Sequence, residues 1–127
     1  MTASPHACEL AVIAARAAGE KKAADIIALD VSERLVLTDV FLVVSGSNER
    51  HVSAIVDAIE EKLAAAGAKA ARREGVSQAR WVLLDFTDII VHVQHEQDRE
   101  FYALERLWRD CPVLPLPADV TAELAVP

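Results

Sequence analysis

Asp85 and Asp88 come nearest to a reactive pair in this chain. Two carboxylates beside a strand turn can hold Mg²⁺ or serve as acid and base. Their spacing is against it. Residues two apart on a strand share a face, whereas residues three apart leave opposite faces. The structural reading is preferred: Asp88 organises a turn through its own backbone, and Asp85 is a polar residue on an apolar strand. His92 and His95 are also three apart, with Glu96, Asp98 and Glu100 nearby, and the same parity argument speaks against a shared metal. Ser45, Ser47 and Ser53 lie near His51, but no Gly-x-Ser-x-Gly elbow accompanies them.

Gly46-Ser47, directly after an apolar run, is similar to the glycine-serine turn of nucleotidyltransferase-like folds. Such an enzyme needs two carboxylates aimed at one metal and a loop that grips phosphate. A lone glycine makes no such loop, and a backbone turn explains Gly46 equally well. Catalysis is therefore not expected, and neither is a cofactor or a resident metal.

Trp81 points elsewhere. In the run Trp81-Val82-Leu83-Leu84-Asp85-Phe86, alternation puts Trp81, Leu83 and Asp85 on one face and Val82, Leu84 and Phe86 on the other. The second set can fill a core. The first offers a mixed apolar and acidic strip, and tryptophan is a frequent interface anchor. Trp108 falls on a helical stripe and reads as core.

The elements that must position these residues follow from period and punctuation. Leu10, Ile13, Ala14 and Ala17 mark a helix over residues 8–22, after a loose leader at 1–7. Residues 25–31 and 40–45 read as strands. Val52, Ile55, Val56, Ile59 and Leu63 draw one helical stripe, with Ser47 or Asn48 as the starting cap and Gly67 suited to the left-handed end. Residues 68–74 form a weak strand with Arg72 and Arg73 exposed. Residues 81–86 and 89–94 form a tight hairpin. A last helix from Glu96 should bury Phe101, Leu104, Leu107 and Trp108 and end at Pro112. The tail at 112–127 carries four prolines and should be extended or mobile, packing through Val113, Leu114 and Leu116.

A chain of 127 residues, 53% hydrophobic and 26% charged, suits one folded domain. Its net charge of -7 argues against direct DNA binding and against a polybasic membrane patch. It suits a basic protein partner. Cys8 and Cys111 form no Cys-x-x-Cys pair and read as reduced thiols. With no signal-peptide pattern and no apolar run long enough to span a membrane, a cytoplasmic location is expected.

Several stretches, taken in order, carry a further signal. They are Asp25-Ile26-Ile27-Ala28-Leu29-Asp30-Val31, then Ser45-Gly46-Ser47 with Arg50-His51-Val52 and Ile55. Trp81-Val82-Leu83-Leu84-Asp85 and Asp88-Ile89-Ile90-Val91-His92-Val93 follow, and finally Arg99, Tyr102, Leu104 and Glu105 with Leu107-Trp108. They resemble the ribosomal silencing factor family, also called Iojap-like, and the resemblance spans about residues 10–109. The resemblance implies a single α/β domain over residues 8–111. Its mixed β-sheet would be packed with helices, in a nucleotidyltransferase-like topology without the catalytic equipment. It implies binding to ribosomal protein fourteen of the large ribosomal subunit, a steric block of small-subunit joining, and repressed translation under nutrient limitation. Large-subunit assembly is a role attributed to relatives, especially organellar ones. The family's tryptophan and the Leu-Leu-Asp after it fall on Trp81, Leu83, Leu84 and Asp85, and its second acid falls on Asp88. These five are the implied partner-binding residues. The chain departs from the pattern at Phe86-Thr87, where the family often has an aromatic or aliphatic residue and then glycine, and at Ala79-Arg80. Two other readings stay open: a nucleotide-binding enzyme that uses Asp85 and Asp88, and a homodimer built on a sheet edge or the last helix.

Overall fold

Val40-Phe41-Leu42-Val43-Val44 is apolar at both parities, and a strand of that kind needs cover on both faces. In the computed structural model, which describes residues 2–120 and of Tyr102 the backbone alone, this run is the middle of a mixed sheet. The chain runs α1 (Pro5–Glu20), β1 (Ala24–Asp30), β2 (Val40–Gly46), α2 (Glu49–Ala65), β3 (Arg72–Glu74) and β4 (Trp81–Asp85). It continues with β5 (Ile89–His95), α3 (Glu96–Tyr102), α4 (Leu104–Leu107) and β6 (Val113–Leu114). The strand order is β3-β4-β5-β2-β1-β6. Among the described residues, only β2 and β5 pair in parallel, from Val40↔Ile89 to Gly46↔His95. The expected mixed α/β architecture is therefore present.

One face of the sheet is closed by α1 and α2. The α2 stripe of Val52, Ile55, Val56, Ile59 and Leu63 is buried as its spacing predicts. Small residues on α1, among them Ala7, Ala11, Ala14 and Ala18, let that helix pack closely. Beneath them lie Ala28, Leu42, Val44, Val82, Leu84, Val91 and Val93. Asn48, of the two expected candidates, caps α2 by accepting the His51 amide at 2.8 Å. Gly67 takes the expected left-handed conformation just past that helix, at φ 89°.

The helix expected over 8–22 begins earlier, at Pro5. Ser4 accepts the Ala7 amide, and Pro5 occupies the first turn, where its missing N–H costs nothing. The leader is also tied down. The Ala3 amide donates to Asp30 and the Ser4 amide to Asp39, each at 2.8 Å.

The other face of the sheet is covered only in part. Leu29, Val31, Phe41 and Cys111 form a second, smaller core, with Ile90 and Trp108 packed against it. The long last helix expected here is broken. Ala103 adopts a left-handed φ of 46°, so α3 stops and α4 starts in a new direction, ending at Leu107 and not at Pro112. Leu104 is buried as expected, but Phe101 is 81% and Leu107 68% exposed. A break of this kind shifts the phase of the apolar stripe, so residues that share a face on an unbroken helix separate. Of the tail, β6 pairs with β1, and Leu114 and Leu116 pack on the main core while Val113 stays exposed. Residues 121–127 lie outside the described residues.

The β4–β5 connection is the expected two-residue hairpin, with a tighter three-residue turn nested inside it. The Asp88 amide donates to the Phe86 carbonyl and the Phe86 amide to the Ile89 carbonyl, each at 2.9 Å. Thr87 sits between them at φ 73°, a conformation that a β-branched residue adopts only under strain. The strain is held from two sides. The Thr87 amide donates to Asp85 Oδ1 at 2.8 Å, and Thr38 donates to the Thr87 carbonyl at 2.9 Å. Asp85 thus organises the turn, a role the sequence assigned to Asp88. Thr87→Gly should relieve the strain and raise the unfolding free energy by about 1 kcal/mol in chemical denaturation. A destabilised Thr87→Gly protein would contradict this account of the turn.

His92 stands on the second face and is 5% exposed. Burial lowers its pKa from 6.5 to about 4. The unfolded chain therefore takes a proton that the folded one refuses across that window, and stability falls as pH drops from about 6.5 to about 4. Between pH 7 and pH 4 this protein should lose about 3 kcal/mol more unfolding free energy than His92→Asn does. Denaturant titrations of both proteins at each pH measure the difference, and parallel pH profiles would refute it.

Candidate functional site: the outer face of β4 and β5

The alternation along β4 is realised residue by residue. Val82, Leu84 and Phe86 are buried against the helices, while Trp81, Leu83 and Asp85 are half-buried on the opposite face. Leu84 must therefore be removed from the expected partner-binding set. It is 0% exposed and lies in the main core, because strand parity turns it away from Leu83 and Asp85. The register adds neighbours that local pattern did not reveal. Trp81 pairs with Gln94, Leu83 with His92 and Asp85 with Ile90. Ile90 is also half-buried, so it extends the apolar strip formed by Trp81 and Leu83. Its parity within β5 was a readable signal, but only once the pairing with β4 was known.

The indole of Trp81 is held. Its Nε1–H donates to His92 Nδ1 at 3.1 Å, with the two rings 6.1 Å apart. His92 in turn meets Phe41 at 5.0 Å in an edge-to-face contact. Phe41 meets Trp108 at 4.8 Å, and the Arg34 guanidinium lies 4.5 Å from the Trp108 ring. An aromatic row thus crosses the second face from β4 through β5 and β2 to the C-terminal segment.

The acids are arranged differently from one another. Asp85 keeps 23% of its side chain exposed, with Arg72 at 3.8 Å and the Thr87 amide on its other oxygen. Arg72 also contacts Glu74 at 3.1 Å, so the rim of the strip carries both signs of charge. Asp88 is at the turn, 48% exposed and 3.7 Å from His6. Each acid therefore has its own partners. Among the described residues, no group of three or more His, Cys, Asp or Glu could hold a metal ion.

The other chemically suggestive residues have structural partners. His95 accepts the Gln97 amide at 3.1 Å and caps α3, with Glu49 at 3.4 Å from its other nitrogen, so it does not meet His92. Arg80 joins this corner, 3.1 Å from Glu49 and 2.5 Å from Asp98. Its hydrogen bond holds the Glu49 carboxyl below the usual range. His51 is a strut. It accepts the Ser47 amide at 2.9 Å, and its other nitrogen reaches the Lys21 carbonyl at 2.6 Å. Gly75, at φ 77°, lets the backbone pass beside Trp81, since a Cβ there would collide with the Trp81 carbonyl.

A polar cleft of about 490 Å³ opens beside Ser45, between the ends of the strands and the α3–α4 break. Asp25, Glu96, Glu100 and Glu105 line it against Arg99 and Arg106, and an excess of carboxylates disfavours a phosphate. Among the described residues no helix is long and apolar enough to cross a membrane.

This arrangement has known counterparts. A protein-family profile described as "Ribosomal silencing factor during starvation" matches residues 4–125. The chain is 40% identical over 104 residues to the ribosomal silencing factor of Bacillus subtilis, covering 82% of this chain and 88% of that one. It is 39% identical over 108 residues to the Halalkalibacterium halodurans protein of the same name, covering 85% and 92%. The crystal structure of protein CV0518 from Chromobacterium violaceum superposes with a TM-score of 0.77 at 35% identity, over 80% of this chain and 84% of that one. With one continuous match across the sheet, both core helices and the β4–β5 hairpin, the chain belongs to the ribosomal silencing factor family.

Proposed function

We propose that this protein binds the large ribosomal subunit through the outer face of β4 and β5, docking on ribosomal protein fourteen, and there blocks joining of the small subunit. Translation would fall as a result, notably under nutrient limitation, in the cytoplasm where ribosomes work. The observation that carries this reading is the half-buried strip of Trp81, Leu83 and Ile90, flanked by Asp85 and by Asp88 at the turn.

The physical case is one of shape and charge. A silencing factor of this kind performs no chemistry; it occupies space that a subunit bridge requires. A standard interface buries about 1,600 Å² in total, within reach of a domain of this size. Trp81 supplies the anchor, with Leu83 and Ile90 beside it. Asp85 and Asp88, in a chain of net charge -7, favour approach to a basic surface. The separate partners of the two acids and the acidic lining of the polar cleft count against the nucleotide-binding enzyme.

The homodimer keeps support from a different observation. Phe101 and Leu107 expose large apolar side chains beside the α3–α4 break, a surface that a second copy could cover. Dilution-dependent light scattering tests it, and a Phe101→Ser, Leu107→Ser protein should stay monomeric at concentrations where the parent associates.

Two measurements test the main reading. Pure protein incubated with isolated large subunits should co-sediment with them, and small subunits added afterwards should fail to form whole ribosomes. Ribosomes that assemble normally around a saturating amount of the protein would defeat the proposal. Trp81→Ala should keep the fold and lose about 2 kcal/mol of binding, roughly thirtyfold in affinity. Undiminished binding by the folded variant would move the anchor elsewhere.

A further inference from the structure

We propose that His92 is a positioning residue: locked in one neutral tautomer, it accepts the Trp81 indole N–H and holds that ring in its binding pose. The inference rests on the docking surface proposed above and adds the device that orders it.

The tautomer follows from donor and acceptor identity. An indole Nε1–H can only donate. His92 Nδ1, 3.1 Å away, must therefore present a lone pair. The alternative tautomer would set two N–H groups head to head across that distance. The imidazole is then neutral, with its proton on Nε2. Burial acts in the same direction, since it penalises the charged ring. The choice has a visible consequence. Nε2 is buried and has no hydrogen-bond partner among the described residues. The tautomer is therefore selected on the Nδ1 side, by Trp81, at the expense of an unanswered donor on the other.

His92 is itself immobilised. It stands in β5 between β4 and β2, opposite Leu83 on one side and Val43 on the other. Phe41 packs edge-to-face on its ring, and Trp108 packs on Phe41. Trp81, by contrast, is half-buried at the first position of β4, next to a loop in which Ala79 has a left-handed φ of 54°. A fixed acceptor in the next strand removes rotamer freedom from the indole before any partner arrives, and preorganised side chains bind more tightly than mobile ones.

Two substitutions separate the acceptor from the packing. His92→Phe keeps a ring against Phe41 and removes the Nδ1 acceptor. His92→Asn loses the ring but places an amide oxygen where Nδ1 stood. We expect His92→Phe to fold and to bind large subunits about tenfold more weakly, with His92→Asn recovering much of that loss. In a Trp81→Ala background, His92→Phe should cause no further loss of binding. Nitrogen-15 NMR of the unaltered protein at pH 7 should show His92 protonated on Nε2 and bare on Nδ1, with the Trp81 indole proton protected from exchange.

The outcomes are distinguishable. A proton on Nδ1 overturns the positioning role whatever the ribosome assays give, and it needs no variant to fold. Equal binding by His92→Phe and the parent overturns that role while leaving the docking surface intact. Failure of the parent itself to co-sediment removes the docking surface and the role together.

Discussion

The parallel pairing of β2 with β5 is the constraint on which the rest depends. From Val40↔Ile89 to Gly46↔His95, it decides which face every residue of both strands must use. A slip of one residue would turn Val91 and Val93 away from the helices and put His92 and Gln94 into the apolar core. The lost apolar burial of Val91 and Val93, added to the lost hydrogen bond between Trp81 and His92, makes the observed register the stable one. β4 is then aligned by β5, and the strip of Trp81, Leu83 and Ile90 follows from that alignment.

The two faces of the sheet have unequal cover, and aromatic side chains and backbone strain both collect on the thinner side. α1 and α2 close one face with an aliphatic core. The other has a small core around Phe41, an aromatic row, a buried histidine and a turn held in a left-handed conformation. Several polar groups there are tied to specific partners, His92 Nδ1 to the Trp81 indole and Asp85 to the Thr87 amide. Asp85 illustrates the economy of the arrangement. One of its oxygens holds the strained Thr87 amide while the carboxylate still faces the strip, so the shape of the turn and the charge of the surface depend on a single side chain.

That arrangement favours recognition over chemistry. A reaction needs reactive groups converging on one point, and here the suggestive residues diverge. His92 serves Trp81, His95 caps α3, His51 ties α2 to the end of α1, and the two acids have separate partners. What does converge is a rigid apolar strip with acid beside it, which suits a docking surface.

Features that depend on local period and local chemistry are readable from the residues alone. The α2 stripe, a starting cap at Ser47 or Asn48, the left-handed Gly67 and the alternation of Trp81, Leu83 and Asp85 with Val82, Leu84 and Phe86 are all legible that way. The motif resemblance was legible too, but it brought Leu84 into the surface set although parity had already assigned that residue to the core. Pairings between distant segments emerge only in the folded chain. That Trp81 meets His92, that Ile90 joins the strip and that Val113–Leu114 becomes an edge strand depend on register between strands, which no single stretch of chain encodes. The break at Ala103 belongs to the same class. Its residues have helical pattern, but the chain must turn to lay Trp108 on Phe41, and that demand comes from the sheet below and not from the segment itself.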